Sequence, residues 1–193
     1  MTALTAPTPA PTPAPTLAPT LAQTAAQTTA PTPAGRIWRF GDNVDTDAMA
    51  PAVLMKSPLP VLARHCLASL RPEFPGSVRP GDVLVAGANF GIGSSREQAP
   101  QALRELGVGA VVAQSFGGLF YRNAINLGLP VLVCAEAARL PDGARVALDL
   151  ETALLRLDDG STVACEPIPG FLREILGAGG LVPHLKRRLA ARA

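Results

Sequence analysis

From Gly35 onward, short β-branched runs alternate with stretches whose apolar residues recur at helical spacing, the arrangement of an α/β domain. Arg36 to Phe40 reads as a strand leading into the polar turn Gly41-Asp42-Asn43-Val44-Asp45-Thr46-Asp47. A loop carrying Pro51, Pro58 and Pro60 follows, and Val61 to Leu70 is expected to form one helix. Val83-Leu84-Val85-Ala86, announced by the turn Arg79-Pro80-Gly81-Asp82, is a continuous apolar run and predicts a buried strand. Ala99, Ala102, Leu103 and Leu106 stand at i, i+3, i+4 and i+7, one apolar stripe on a helix of about three turns that Gly107 stops. Ala110 to Ala113 predicts a second strand, Leu119 to Leu127 a second crossover helix and Leu129 to Cys134 a third strand. That order implies a parallel sheet with right-handed crossovers. Arg145 to Leu150 and Leu154 to Leu157 alternate apolar with polar residues instead, and Asp158-Asp159-Gly160-Ser161 turns the chain into Thr162 to Cys165, so a smaller antiparallel sheet is expected here. Phe171 to Leu176 and Leu181 to Leu189 read as closing helices, the last with Lys186, Arg187 and Arg188 where positive charge suits the helix dipole.

Residues 1–34 break this pattern: they contain only Met, Thr, Ala, Leu, Pro and Gln and repeat Ala-Pro-Thr-Pro units. The expectation is a disordered or polyproline-like arm on a single domain spanning residues 35–193. The first basic residue is Arg36, so no targeting signal is read, and no stretch offers about 18 uninterrupted apolar residues for a membrane span. A net charge of +2, from 17 basic and 15 acidic side chains, with few aromatic residues, argues against a nucleic-acid partner. Cys66, Cys134 and Cys165 are odd in number and widely spaced, which fits a reducing, cytoplasmic setting and small core residues. No metal site is read in this chain.

The chemistry concentrates in Asn89-Phe90-Gly91-Ile92-Gly93-Ser94-Ser95-Arg96-Glu97-Gln98. Gly91 and Gly93, leaving a strand and entering a helix, let the backbone turn tightly and approach a ligand closely. Such a junction favours anions. The third glycine of a dinucleotide fingerprint would fall on Arg96, and no Gly-Lys-Ser/Thr follows, so neither a Rossmann motif nor a P-loop is present. Two hydroxyls and a guanidinium remain, and Arg96 could grip a carboxylate through two parallel hydrogen bonds. The competing reading is structural: Ser95-Arg96-Glu97-Gln98 matches a capping box, although Pro100 would then lie beyond the first helical turn.

The segments Asp42 to Asp47, Asn89 to Pro100, Ser115-Phe116 and Phe120-Tyr121-Arg122-Asn123-Ala124-Ile125-Asn126-Leu127-Gly128-Leu129-Pro130 together resemble, in content, order and spacing, the small subunits of 3-isopropylmalate dehydratases. The resemblance implies a swivelling β/β/α three-layer domain of the aconitase type, one piece of a two-subunit hydro-lyase. It implies no cofactor bound by this chain, a [4Fe-4S] cluster on a separate large subunit, and a small dicarboxylate substrate. Residue by residue it makes Ser94 the base that takes a proton from carbon. Ser95 and Arg96 become the groups that bind substrate carboxylate. Gly91, Gly93, Glu97, Gln98, Asp45, Asp47, Arg122 and Asn123 are supporting residues, and Asp45 and Asp47 serve the turn and its cap.

Three positions depart from the family's common pattern. Gln98 replaces a frequent histidine and is similar to homoaconitase-type relatives, Val53-Leu54-Met55-Lys56 stands where many members carry a Tyr-Leu pair touching the substrate's distal group, and Gly117-Gly118 replaces bulkier residues. The leading expectation is the interconversion of 2-isopropylmalate and 3-isopropylmalate in leucine biosynthesis, with homoaconitate, citramalate or another branched malate as alternative substrates and a non-catalytic carboxylate-binding domain as a further alternative. His65 and His184 are read as surface or packing residues.

Overall fold

The computed structural model describes residues 34–192, so the expected arm falls, but for Ala34, outside the described residues. Strands β1 (Gly35–Arg39), β2 (Val83–Ala86), β3 (Ala110–Ala113), β4 (Val131–Val133), β5 (Arg145–Asp149), β6 (Leu154–Leu157) and β7 (Thr162–Ala164) join in the order β4-β3-β2-β1-β5-β6-β7. Helices α1 (Thr46–Met49), α2 (Leu59–Ala63), α3 (Phe74–Ser77), α4 (Gln98–Glu105), α5 (Gly118–Asn126), α6 (Gly170–Gly177) and α7 (Leu181–Ala190) complete it, with 3₁₀ turns at Ala52–Leu54 and Ala137–Arg139.

The two expected sheets share β1. Its Ile37, Trp38 and Arg39 pair in parallel with Val83, Leu84 and Val85, while Gly35 and Arg36 pair antiparallel with Val146 and Arg145. Alternation along the strands then separates the layers. Trp38, Leu84, Ala86, Val111 and Val131 face one core with Met49, Leu62, Phe74, Leu103, Phe120 and Ile125 of the helices. Ile37, Val83, Val85, Val112 and Leu132 face a second core with Val146, Leu148, Leu155 and Leu157 of the antiparallel strands. Antiparallel strands, parallel strands and helices thus form the β/β/α layers.

Asp82 fixes β1 against β2. It is 4% exposed, and its carboxylate accepts hydrogen bonds from Arg36 N (2.8 Å), Trp38 Nε1 (2.8 Å) and Arg79 N (2.9 Å), which satisfies a buried charge three times over.

The helix expected over residues 61–70 is instead the short α2, followed by turns to Leu70. Leu67 adopts φ +60°, and its N–H donates to Ala48 O at 2.7 Å. That tertiary bond removes the donor a helix needs and ties the segment to α1. The third strand is also shorter than expected, because Leu129 N donates back to Ala124 O (2.9 Å) and Pro130 has no N–H to give the ladder.

Candidate active site

The segment after β2 is held by backbone bonds on both sides. Gly91 N donates to Val44 O (2.7 Å) and Thr46 N to Ile92 O (2.9 Å), so the Asp45 turn lies along one edge. Phe90 N donates to Ser115 O (3.0 Å) and Gly117 N to Phe90 O (2.8 Å), which places the Ser115-Phe116 loop along the other. Asn89, at φ +60°, adds an N–H bond to Ser115 Oγ (2.8 Å) and a side-chain bond to Asn43 Oδ1 (3.0 Å). Segments far apart in sequence therefore converge on one strip.

Gly91 and Gly93 hold φ +77° and +98°, where a side chain is strained, and a Cβ on Gly91 would collide with the Phe120 ring. The chain then passes through exposed Ser94 and Ser95. Helix α4 starts only at Gln98; Glu97 stands at its N-cap without a side-chain bond. The capping-box reading of Ser95 and Gln98 is thus not realised. With this start Pro100 is the third helical residue, inside the first turn, where its missing N–H costs no helical bond. The serine hydroxyls are left for other work.

Arg96 is oriented from a segment 49 residues earlier. Its Nη1 donates to Asp47 Oδ1 (2.5 Å) and to Ala50 O (2.9 Å), and its side chain is 15% exposed. Among the described residues Nε and Nη2 make no hydrogen bond, so one edge of the guanidinium stays open for a carboxylate. The Arg96 hydrogen bond, with its positive charge and the Ala52 N–H, holds the Asp47 carboxyl below the usual carboxylate range against the opposing effect of burial. Asp45 Oδ1 accepts from Ala48 N (2.7 Å) and caps α1, the cap duty expected of it. Asp47, expected to serve the turn, pairs with Arg96 instead.

A cleft of about 530 Å³ opens beside this pair, lined by Asn43, Asp45, Asp47, Pro51, Val53 and Leu70 among others. Val53 projects there, 90% exposed, whereas Leu54 and Met55 pack partly buried against the helix-side core. Glu97 is exposed and Gln98 half-buried. Arg122 is exposed on α5 and Asn123 half-buried, and no hydrogen bond among the described residues joins either side chain to Gly91–Gln98. Thr46 and the Ala50 carbonyl belong to the site although the sequence reading did not single them out. The only sequence signal for Thr46 is its place between Asp45 and Asp47.

Among the described residues no group of three or more His, Cys, Asp or Glu could hold a metal ion. Cys66 is buried in the helix-side core, and Cys134 and Cys165 in the core on the opposite sheet face, so the thiols do not fit an iron–sulfur cluster. No helix of the described residues is long and apolar enough to cross a membrane.

The model of the aconitase C-terminal domain matches residues 75–136, which include the serine segment and α5. The 3-isopropylmalate dehydratase small subunit of Nautilia profundicola is 46% identical over 157 residues, covering 80% of this chain and 95% of the relative. The chain belongs to the family of 3-isopropylmalate dehydratase small subunits. The methanogen homoaconitase small subunit of Methanothermobacter thermautotrophicus is 50% identical over 152 residues, covering 78% of this chain and 88% of the relative. The crystal structure of 3-isopropylmalate dehydratase from Methanocaldococcus jannaschii superposes with a TM-score of 0.78 at 45% identity, covering 82% of this chain and 96% of that one. The β/β/α architecture of the family is therefore the architecture of this chain.

Proposed function

We propose that this chain is the small subunit of a 3-isopropylmalate dehydratase, a hydro-lyase that interconverts 2-isopropylmalate and 3-isopropylmalate by dehydration and rehydration in leucine biosynthesis. The observation that carries the reading is the pairing of exposed, uncapped Ser94 and Ser95 with an Arg96 anchored through one nitrogen to Asp47 and Ala50 and open along its other edge. Arg96 grips a substrate carboxylate through Nε and Nη2, with Ser95 donating its hydroxyl to the same group. Ser94 Oγ takes the proton from the carbon next to a carboxylate. The hydroxyl leaves the neighbouring carbon, so that proton and hydroxide together make the water lost. Rehydration returns proton and hydroxide to the exchanged carbons.

Because Ser94 is exposed, the site needs a partner surface to exclude water and make its electrostatics effective. That partner is a large subunit carrying the [4Fe-4S] cluster, for which the described residues of this chain offer no ligand set, and the assembled enzyme is cytoplasmic. Val53, at the rim of the cleft beside Asp47, reaches toward the distal substituent of the substrate. A second reading, that the substrate is homoaconitate, is favoured by the 50% identity to a homoaconitase small subunit.

The test is reconstitution with a cluster-loaded large subunit, following unsaturated-diacid absorbance with isopropylmalate, homoaconitate and citramalate. Isopropylmalate should give the highest kcat/KM, and Ser94→Ala should lower kcat by about 10²- to 10⁴-fold, the range for loss of a general base. Faster turnover of homoaconitate would select the second reading. Wild-type activity in Ser94→Ala would remove the base assignment, and no turnover of any of the three would leave a carboxylate-binding domain.

A further inference from the structure

Thr46 opens α1 and is 2% exposed, yet among the described residues its hydroxyl has no hydrogen-bond partner. Buried hydroxyls are almost always paired, so an orphan beside a candidate active site calls for a ligand or a partner that arrives later. Two observations fix where it points. Thr46 N is bonded to Ile92 O at 2.9 Å, which holds the residue against the serine segment. A Cβ placed on Gly93 would stand 3.1 Å from Thr46 Oγ1, so the hydroxyl lies close against the residue immediately before Ser94, at a spot that any side chain there would crowd. Gly93 also holds φ +98°, the turn that carries the chain from Ile92 past this hydroxyl to Ser94. The alternative partner for a helical threonine, a carbonyl one turn earlier, is not used here, since Thr46 is the first residue of its helix.

We propose that Thr46 is a positioning residue for the reaction, its hydroxyl donating a hydrogen bond to Ser94 Oγ when Ser94 turns inward over Gly93 in the assembled site. This rests on the reading of Ser94 as the base. The bond holds the oxygen at one place and stabilises its deprotonated form, the role of a preorganised donor aimed at charge that develops during reaction. In the free chain Ser94 is exposed and the donor waits unpaired. Donation to an alkoxide lowers the pKa of that oxygen, so the base is active at lower pH than it would be without Thr46.

Thr46→Val is close in shape and removes only the hydroxyl. In the reconstituted enzyme it should lower kcat by about 10- to 10³-fold, as loss of one such donor does, with KM within about twofold. The acidic limb of the kcat–pH profile should move to higher pH. Thr46→Ser, which keeps the hydroxyl, should recover most of kcat and the wild-type limb. A merely structural threonine predicts neither change, because replacing an unpaired buried hydroxyl by a methyl leaves folding unharmed and the pH profile unmoved. Should Thr46→Val fail to fold, Thr46→Ala, which keeps the backbone bond to Ile92, carries the same comparison against Thr46→Ser. If Ser94→Ala is inactive while Thr46→Val and Thr46→Ala keep wild-type kcat and pH profile, this inference is overturned and the base assignment stands. Equal loss in Thr46→Ser and Thr46→Val overturns it as well. Wild-type activity in Ser94→Ala overturns both.

Discussion

Gly91→Ala tests whether the serine segment is shaped by backbone geometry. The new methyl meets two penalties: φ +77° is left-handed backbone, and the Cβ collides with the Phe120 side chain. The first costs about 1–2 kcal/mol. The second is an overpacking cost of about 1–3 kcal/mol, because Phe120 is nearly fully buried and cannot simply swing away. Its ring is packed edge-on to Phe90, with centroids 5.2 Å apart, and stacked with Phe116 at 6.3 Å. Replacing glycine also restricts the unfolded chain, which returns about 0.4–1 kcal/mol. The net loss is on the order of 1.5–4 kcal/mol, or a fall in Tm of about 5–15 °C for a domain of this size. Urea unfolding followed by fluorescence of Trp38, the single tryptophan, gives the midpoint and slope. Gly118→Ala is the control, since its Cβ would meet nothing within 4 Å and its φ is not positive, and it should leave the midpoint unchanged or slightly higher. A Phe120→Ala background, which removes the ring carbons the new Cβ would meet at 2.3 and 2.8 Å, should lessen the cost of Gly91→Ala by about 0.5 kcal/mol or more. Strict additivity would refute the steric part of the reasoning, and a wild-type midpoint for Gly91→Ala would refute all of it.

Two further outcomes follow from the polar contacts. Asp82→Ala leaves Arg36 N, Trp38 Nε1 and Arg79 N without their buried acceptor, at about 1–3 kcal/mol for each orphaned donor, so the same urea assay should show a loss of several kcal/mol. An unchanged midpoint would show that these donors find water instead. Asp47→Asn removes the charged anchor of Arg96 and should raise KM in the reconstituted enzyme more than it lowers kcat. Its stability difference from the wild type should also depend on pH. The native pKa of Asp47 is lowered from 3.8, so the carboxylate's contribution is fully present above that value and disappears as pH falls through the depressed native value. A difference that persists at lower pH would assign it to something other than ionisation.

The parts of the fold that were legible are those whose signal is local. Val83–Ala86 and Ala110–Ala113 are strands as read, because a continuous apolar run of four residues between turn residues is too short for a buried helix and suits a strand buried on both faces. Val61–Leu70 is not the helix its sequence predicts, because helical spacing says nothing about Leu67 giving its N–H to Ala48, a bond that exists only in the folded chain. Ser95-x-x-Gln98 matched a capping box without being one. Pro100 held the clue: a cap at Ser95 puts it at the fifth helical position, whereas a start at Gln98 puts it at the third. The proline fixed the register that the serine and glutamine misstated.

The site shows the same division more sharply. The bonds that hold the serine segment, Gly91 N to Val44 O, Thr46 N to Ile92 O, Phe90 N to Ser115 O and Gly117 N to Phe90 O, are all backbone to backbone. Such bonds read no side-chain identity, so in the sequence they appear only as places where a side chain is missing, at Gly91 and at Gly117, whose Cβ would stand 2.5 Å from Gly91 O. The glycine motif was therefore visible while the partner of its arginine was not, because Asp47 and Arg96 meet only after those bonds have formed. The same arginine nitrogen that binds Asp47 also binds Ala50 O, immediately before the Pro51–Met55 loop that departs from the family pattern. The proposed carboxylate grip and the loop at Val53 are thus anchored at one atom, whereas the backbone leading to Ser94 is held through Ile92. Substitutions at Val53 should consequently alter KM and substrate preference through the cleft and Arg96 while leaving proton transfer at Ser94 intact.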